Sequence, residues 1–260
     1  MALITLLTDF GLNDEFVGVM KGVILAINPQ ARIVDITHGI APQDLVSAAY
    51  RAQAAYRYFP QGTVHVVVVD PGVGSSRAIV AVQQEGHVFL APDNGVLSLV
   101  IDAHKIEGVV RVTNDQFFLK PVSCTFHGRD IFAPVGAYLA SGVPLEEFGS
   151  PMERINRITI PKPQSVEENL VGEVISIDHF GNLISSIRRS DIDLIGPGEV
   201  YIEDEYIGRV YSNFDDKEYG DLIAVFSSID YLLIAVNNGS AVDRLKVSVG
   251  AKVRYKAVSE

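Results

Sequence analysis

Asp70 and Arg77 bracket a glycine-rich turn, DPGVGSSR, that begins where the uninterrupted valine run 66–69 stops. Four β-branched residues in a row predict a strand buried on both faces, the habit of a parallel sheet. In open α/β sheets, ligands lie beyond the carboxyl ends of such strands, so an acid placed there is positioned to face a ligand. Pro71, Gly72 and Gly74 force a tight turn through which Arg77 can fold back onto Asp70. A structural ion pair closing the loop is an equally good reading of these residues alone. A second concentration of polar chemistry is Cys124-Thr125-Phe126-His127-Gly128-Arg129-Asp130, ahead of an apolar helix expected over residues 131–139. Amide groups and the dipole at a helix start favour anionic or polar ligands. Asp9, in Thr8-Asp9-Phe10-Gly11, repeats the pattern of an apolar strand ended by an acid.

Other chemistries fail on order or spacing. Asp9-Phe10-Gly11 and His127-Gly128-Arg129-Asp130 echo kinase motifs, but a kinase places its catalytic loop before its DFG. Gly72-Val73-Gly74 lacks the Lys-Ser/Thr pair of a phosphate-binding loop. The carboxylates with His127 suggest a divalent metal, yet no two histidines stand at ligand spacing, so no metal is expected. Cys124, at the edge of an apolar segment, is expected to be a buried small residue rather than a nucleophile.

Elements to hold these residues are legible. Residues 3–7 read as a strand, 13–28 as a helix ended by Pro29, 32–36 as a strand, and Asp44 as the N-cap of an Ala-rich helix to about Tyr56. This β-α-β-α-β alternation predicts a mostly parallel central sheet with crossover helices. Residues 78–83 and 87–91 read as a hairpin turning at Glu85-Gly86, with a weaker strand over 109–112. Pro151, Pro161 and Pro163 mark a polar linker, 151–168, between an α/β domain, 1–150, and a second domain, 169–260. From 171 on there are only short strand-like runs separated by turns, so a smaller β-barrel-like domain is expected.

The 260-residue chain is 48% hydrophobic and 20% charged, which supports a sizeable core. A net charge of −11 argues against a nucleic-acid partner or an anionic membrane surface. The single cysteine permits no internal disulfide. With no long apolar run and no leader-like start, a soluble cytoplasmic protein is expected.

The motifs VVDPGVGSSR, TFHGRD, TDFG and DHFGN, together and with an α/β half before a β half, resemble the S-adenosylmethionine (SAM) hydroxide adenosyltransferases. These are adenosine-forming SAM hydrolases related to the bacterial fluorinase and chlorinase. The resemblance implies a water-activating set of Asp70, Arg77 and His127. It implies Asp9 on the ribose hydroxyls, Asp178 on the methionine amino group, Asn182 and backbone near Asn238 on adenine with Phe180 alongside, and Ser228 on the methionine carboxylate. It implies a homotrimer with active sites at subunit interfaces, a small-molecule substrate and no cofactor. Halogenating relatives carry Arg after that serine, where this chain has Ile229, and the fluorinase has Tyr-Ser where this chain has His127-Gly128.

In SAM the 5′ carbon is attached to a sulfonium, so methionine departs as a neutral thioether and needs no acid. The demand falls on the nucleophile, which fixed charge and hydrogen bonds must develop from water. Arg77 can supply charge, His127 can accept a proton or orient the water, and Asp70 can fix both. A carboxylate repels halide but accepts a hydrogen bond from water, which favours hydrolysis. The alternatives are a chlorinase-like halogenase and a non-catalytic adenosine- or SAM-binding protein.

Overall fold

The computed structural model describes residues 3–167 and 169–258. Glu168, the last residue of the expected linker, and the domain limits at Met1 and Glu260 lie outside the described residues. The chain forms two compact units, Met1–Ile158 and Thr159–Glu260.

The first unit contains β1 (Leu3–Thr8), α1 (Phe16–Ile27), β2 (Arg32–Thr37), α2 (Leu45–Tyr56), β3 (Val64–Val68), β4 (Ile79–Gln84), β5 (His87–Pro92), β6 (Ile106–Val112), α3 (Ala133–Ala140) and β7 (Gly149–Pro151). Asp44 caps α2, its side chain accepting from the Ser47 amide at 2.9 Å. The sheet order is β2-β1-β3-β5-β4-β6-β7. The first four strands run parallel. Glu85 and Gly86, both at positive φ, then turn the chain back, and the remaining pairs are antiparallel. The expected α/β architecture is present with a mixed sheet, because the hairpin reverses direction where a crossover helix would have preserved it.

β3 is buried along its whole length. Val64, Val66 and Val68 pack in one core with Met20 and Ile24 of α1 and Val135 and Leu139 of α3. Val67 and Val69 point the other way, into a core with Ala48, Ala52 and Tyr56 of α2. Period-two alternation thus gives both faces of an unbroken valine run a partner, each buried valine contributing roughly 1.5–3 kcal/mol. Since β2 and β3 flank β1 on opposite sides, the chain switches winding direction between β1 and β3. Ligands of doubly wound sheets lie at the carboxyl ends of such a pair.

The second unit comprises β8 (Gln164–Val166), β9 (Asn169–Ile177), β10 (Leu183–Arg188), α4 (Arg189–Asp193), β11 (Gly198–Ile202), β12 (Glu205–Arg209), β13 (Leu222–Phe226), β14 (Tyr231–Val236), α5 (Ala241–Leu245) and β15 (Lys252–Ala257). The antiparallel path is β12-β11-β15-β9-β10-β14-β13, with β8 added against β9. Val210 bridges to Ala224, and the Tyr211 amide donates to the Ala224 carbonyl at 2.8 Å. The two ends of the path therefore meet, making the expected barrel nearly closed around Val174, Leu183, Val200, Leu232 and Val253.

Candidate active site

β3 runs out at Val68, and the chain leaves the sheet through Asp70. Val73 donates its amide to the Asp70 carbonyl at 3.2 Å, and Ser75 donates its amide at 3.1 Å and its hydroxyl at 2.7 Å to the Gly72 carbonyl. This brings Arg77 back over the strand end. Its Nε donates to both carboxylate oxygens of Asp70 at 3.0 Å, and one terminal nitrogen donates to Asp70 Oδ2. The Asp70 and Arg77 side chains are only 5% and 11% exposed. The ion pair that the sequence allowed as an equal reading is present, but the contacts do not end there. The same terminal nitrogen of Arg77 donates to His127 Nδ1 at 2.8 Å.

His127 is delivered by the segment entering α3. Gly128–Phe132 forms a π-type turn in which the Ala133 amide donates to the Gly128 carbonyl, a widened turn of the kind frequent at functional sites. Behind it, buried Asp130 accepts from the Ser123 amide at 2.8 Å and from the Arg129 guanidinium at 2.6 and 3.0 Å. Burial raises the Asp130 carboxyl, but Arg129 and the Ser123 amide outweigh it and hold the carboxyl below its ordinary value.

Burial first, and the Arg77 charge second, lower the His127 pKa, against opposing pulls from Asp70 and Asp130. The imidazole is therefore neutral near pH 7. A guanidinium can only donate, so His127 Nδ1 is the acceptor and the ring proton sits on Nε2. Among the described residues no hydrogen bond engages that Nε2.

Asp9, Asp70 and His127 line one cavity of about 370 Å³, walled by Phe10, Phe16 and Phe126. It lies at the switch point between β1 and β3. The three rings pack at 5.1–5.9 Å between centroids. Asp9 Oδ2 accepts from the backbone amide of Gln43 at 2.8 Å. Gln43 holds a positive φ of 69°, rare for a residue with a side chain. Gln43 and the aromatic wall were missed from sequence. Phe16 carried only a helix-periodicity signal, and an amide contribution from Gln43 leaves no side-chain signature.

Cys124 is exposed, not buried as expected. It lies in the loop before the π-type turn, where its backbone, rather than its thiol, does the packing against the Asp70–Arg77 turn. Among the described residues, no three His, Cys, Asp or Glu side chains converge to hold a metal, and no helix is long and apolar enough to cross a membrane.

In the second unit, Asp178 organises its own loop. Oδ1 accepts from the amides of Phe180 and Asn182 at 2.9 Å, and Oδ2 from the Asn182 side chain at 2.8 Å. Phe180 is exposed, its ring on the surface of this loop. The Val242 amide donates to the Gly181 carbonyl at 3.0 Å, so this loop packs beside the turn holding Asn238, itself exposed at a φ of 56°. Ser228 is exposed in the turn before β14, whereas Asn238 follows that strand. The barrel thus groups Asp178, Asn182 and Asn238 and leaves Ser228 at the opposite end of β14.

The family profile of the SAM hydroxide adenosyltransferase N-terminal domain matches residues 4–149, and that of the C-terminal domain matches residues 172–254. The chain belongs to this family. Within the SAM hydroxide adenosyltransferases, a protein of Salinispora tropica named (R)-S-adenosyl-L-methionine hydrolase is 36% identical over 98% of this chain and 97% of its own. A fluorinase of an Actinoplanes species is 31% identical over 75% of each. The crystal structure of an uncharacterized conserved protein from Thermotoga maritima shares the fold with a TM-score of 0.91 and 37% identity, covering 97% of this chain and 99% of that one.

Proposed function

We propose that this adenosyltransferase family member is a hydrolase that converts SAM and water to adenosine and L-methionine. The observation that carries it is the continuous Asp70–Arg77–His127 array, whose two outer members, Asp70 and His127, line one cavity with Asp9. The named hydrolase relative, more similar than the fluorinase, supports the same choice.

The reaction is an in-line SN2 displacement. The oxygen of water bonds to the 5′ carbon, the carbon–sulfur bond breaks, and its electron pair stays on sulfur as neutral methionine thioether. The tautomer narrows the roles left open by sequence. With Nδ1 occupied by Arg77, neutral His127 offers Nε2–H to the water oxygen and is an orienting donor rather than the base. Asp70 then accepts the hydrogen bond from water and takes up its proton as the new bond forms, while Arg77 holds both partners and supplies fixed positive charge. No cofactor is needed for this step, since the leaving group departs uncharged. Asp9 is assigned to the ribose hydroxyls, and Asp178, Phe180, Asn182, Ser228 and Asn238 to the methionine and adenine ends.

The decisive experiment is incubation with SAM in heavy-oxygen water, with and without chloride. Equimolar adenosine and methionine, with label in the 5′ hydroxyl, is the expected result. A chlorinated nucleoside, or tight SAM binding with no product, overturns it in favour of a halogenase or a binding protein. A homotrimer with active sites at subunit interfaces belongs to the same proposal, and a fully active monomer in light scattering counts against it. A cytoplasmic setting is also proposed, supported by the single cysteine and checked by fractionating cells that carry a tagged copy.

A further inference from the structure

His38 is buried to 4% exposure at the carboxyl end of β2, outside the cavity and unused in the proposed chemistry. Its contacts converge on the segment carrying Asp9. His38 Nδ1 lies 2.8 Å from the Thr8 hydroxyl, and that hydroxyl oxygen accepts from the Phe10 amide at 3.2 Å. The His38 carbonyl accepts from the Gly11 amide at 2.8 Å. Residues on both sides of Asp9 are thus tied to one imidazole and its backbone.

On its far side, His38 Nε2 approaches Asp35 Oδ1 to 3.1 Å, out of line for a good hydrogen bond, and Asp35 also binds the Lys21 ammonium. The ring is therefore braced against a charged pair on the surface. Asp9 itself is fixed through Oδ2 by the Gln43 amide, and among the described residues no hydrogen bond engages Oδ1. One carboxylate oxygen is held and the other is free for a ligand hydroxyl.

We propose that His38 is a positioning residue for nucleoside recognition, acting through Thr8 to aim Asp9 at the ribose hydroxyls. This rests on the reading of Asp9 as the ribose contact. A carboxylate aimed at a diol rejects an analogue lacking one hydroxyl, because the site's polar atom is left unpaired. Loss of the brace lets Asp9 wander and erases that discrimination before it affects the reacting carbon.

The test compares SAM with its 2′-deoxyribosyl analogue in wild type, His38→Leu, Thr8→Val and His38→Asn, whose amide occupies the place of Nδ1. In wild type the deoxy analogue is expected to have a KM roughly 10-fold or more higher. In His38→Leu and Thr8→Val the ratio falls to within about 3-fold, with kcat little changed, and His38→Asn restores most of it. If His38→Leu does not fold, the smaller change Thr8→Val decides. An unchanged ratio alongside a lowered melting temperature overturns the proposal and leaves His38 as a packing residue. Calorimetry with adenosine and 2′-deoxyadenosine reads the same discrimination without turnover. An enzyme inactive on SAM therefore defeats the proposed hydrolysis and leaves this test standing, whereas equal binding of the two nucleosides by wild type defeats the positioning role.

Discussion

Gly74 lies against the carbonyl of Cys124 so closely that a Cβ on it would stand 2.2 Å from that oxygen. This backbone-on-backbone approach holds the Asp70–Arg77 turn against the His127 segment and so sets the distance from guanidinium to imidazole. Gly74 also has a φ of 78°, where a side chain is strained.

Gly74→Ala should therefore separate the two loops. Strain alone costs on the order of 1 kcal/mol, and the clash adds to it. The expected result is a modest fall in melting temperature with a disproportionate loss of turnover. Turnover falling only in step with the folded fraction would refute the registering role.

Asp70→Asn, Arg77→Lys and His127→Ala should each lower kcat by roughly 10² or more with SAM affinity within several-fold, since loss confined to kcat marks a contact made in the transition state. The three act through one shared guanidinium, so double variants should be little worse than single ones. Steady-state kinetics set against direct SAM binding check both points. Near-normal turnover per folded molecule returns Asp70 and Arg77 to a structural clasp.

Turnover should be flat through neutral pH and fall on the acid side with a midpoint below about 6.5, the ordinary histidine value, because burial and Arg77 lower the His127 pKa. Protonation would place a hydrogen on Nδ1, against the Arg77 donor, and break the array. An acid limb centred above pH 7 in a kcat profile is incompatible with this assignment.

Buried His65, bonded to Thr5 and His87, governs acid stability. Burial lowers its pKa to about 3. Unfolded histidine titrates near 6.5, so between these values the unfolded chain binds more protons. Stability from this group is complete above about pH 6.5 and is lost as pH falls towards 3, a loss of up to about 5 kcal/mol. His65→Asn should be less stable at pH 7 but show a smaller drop in urea midpoint from pH 7 to 5 than wild type does.

Gly128 lets the aromatic wall close, since a Cβ there would stand 3.0 Å from the Phe126 ring and 3.2 Å from that of Phe10. Gly128→Ala should push the rings apart and raise KM for SAM several-fold, at roughly 1–3 kcal/mol of overpacking. Unchanged KM and stability would mean the rings yield freely.

The local parts of the site were legible in sequence, and the parts made by backbone were not. Asp70 and Arg77 are close along the chain and joined by turn residues, so their pairing follows from local rules. His127 lies fifty positions from Arg77, and only the family resemblance placed them together. Gln43 contributes an amide in a rare conformation, and Cys124 a carbonyl, neither of which its side chain announces. The doubly buried valine strand was plain, but EYIGR of β12 does not alternate and follows a turn at positive-φ Glu203, so it left no strand signal. Helices α4 and α5 span five residues each, too few for a periodic pattern.

The switch point also sets when the cavity can come into being. Asp9 and Asp70 follow strands that pair directly, Thr5 of one beside His65 of the other, sixty residues apart along the chain. Contacts of such separation are slow to form because the intervening loop must be closed first. A nascent chain that has not yet emitted His127 has no complete array whatever its local helices do. Recovery of turnover during refolding should therefore lag recovery of helical signal, making the enzyme's own activity a clock for long-range strand pairing.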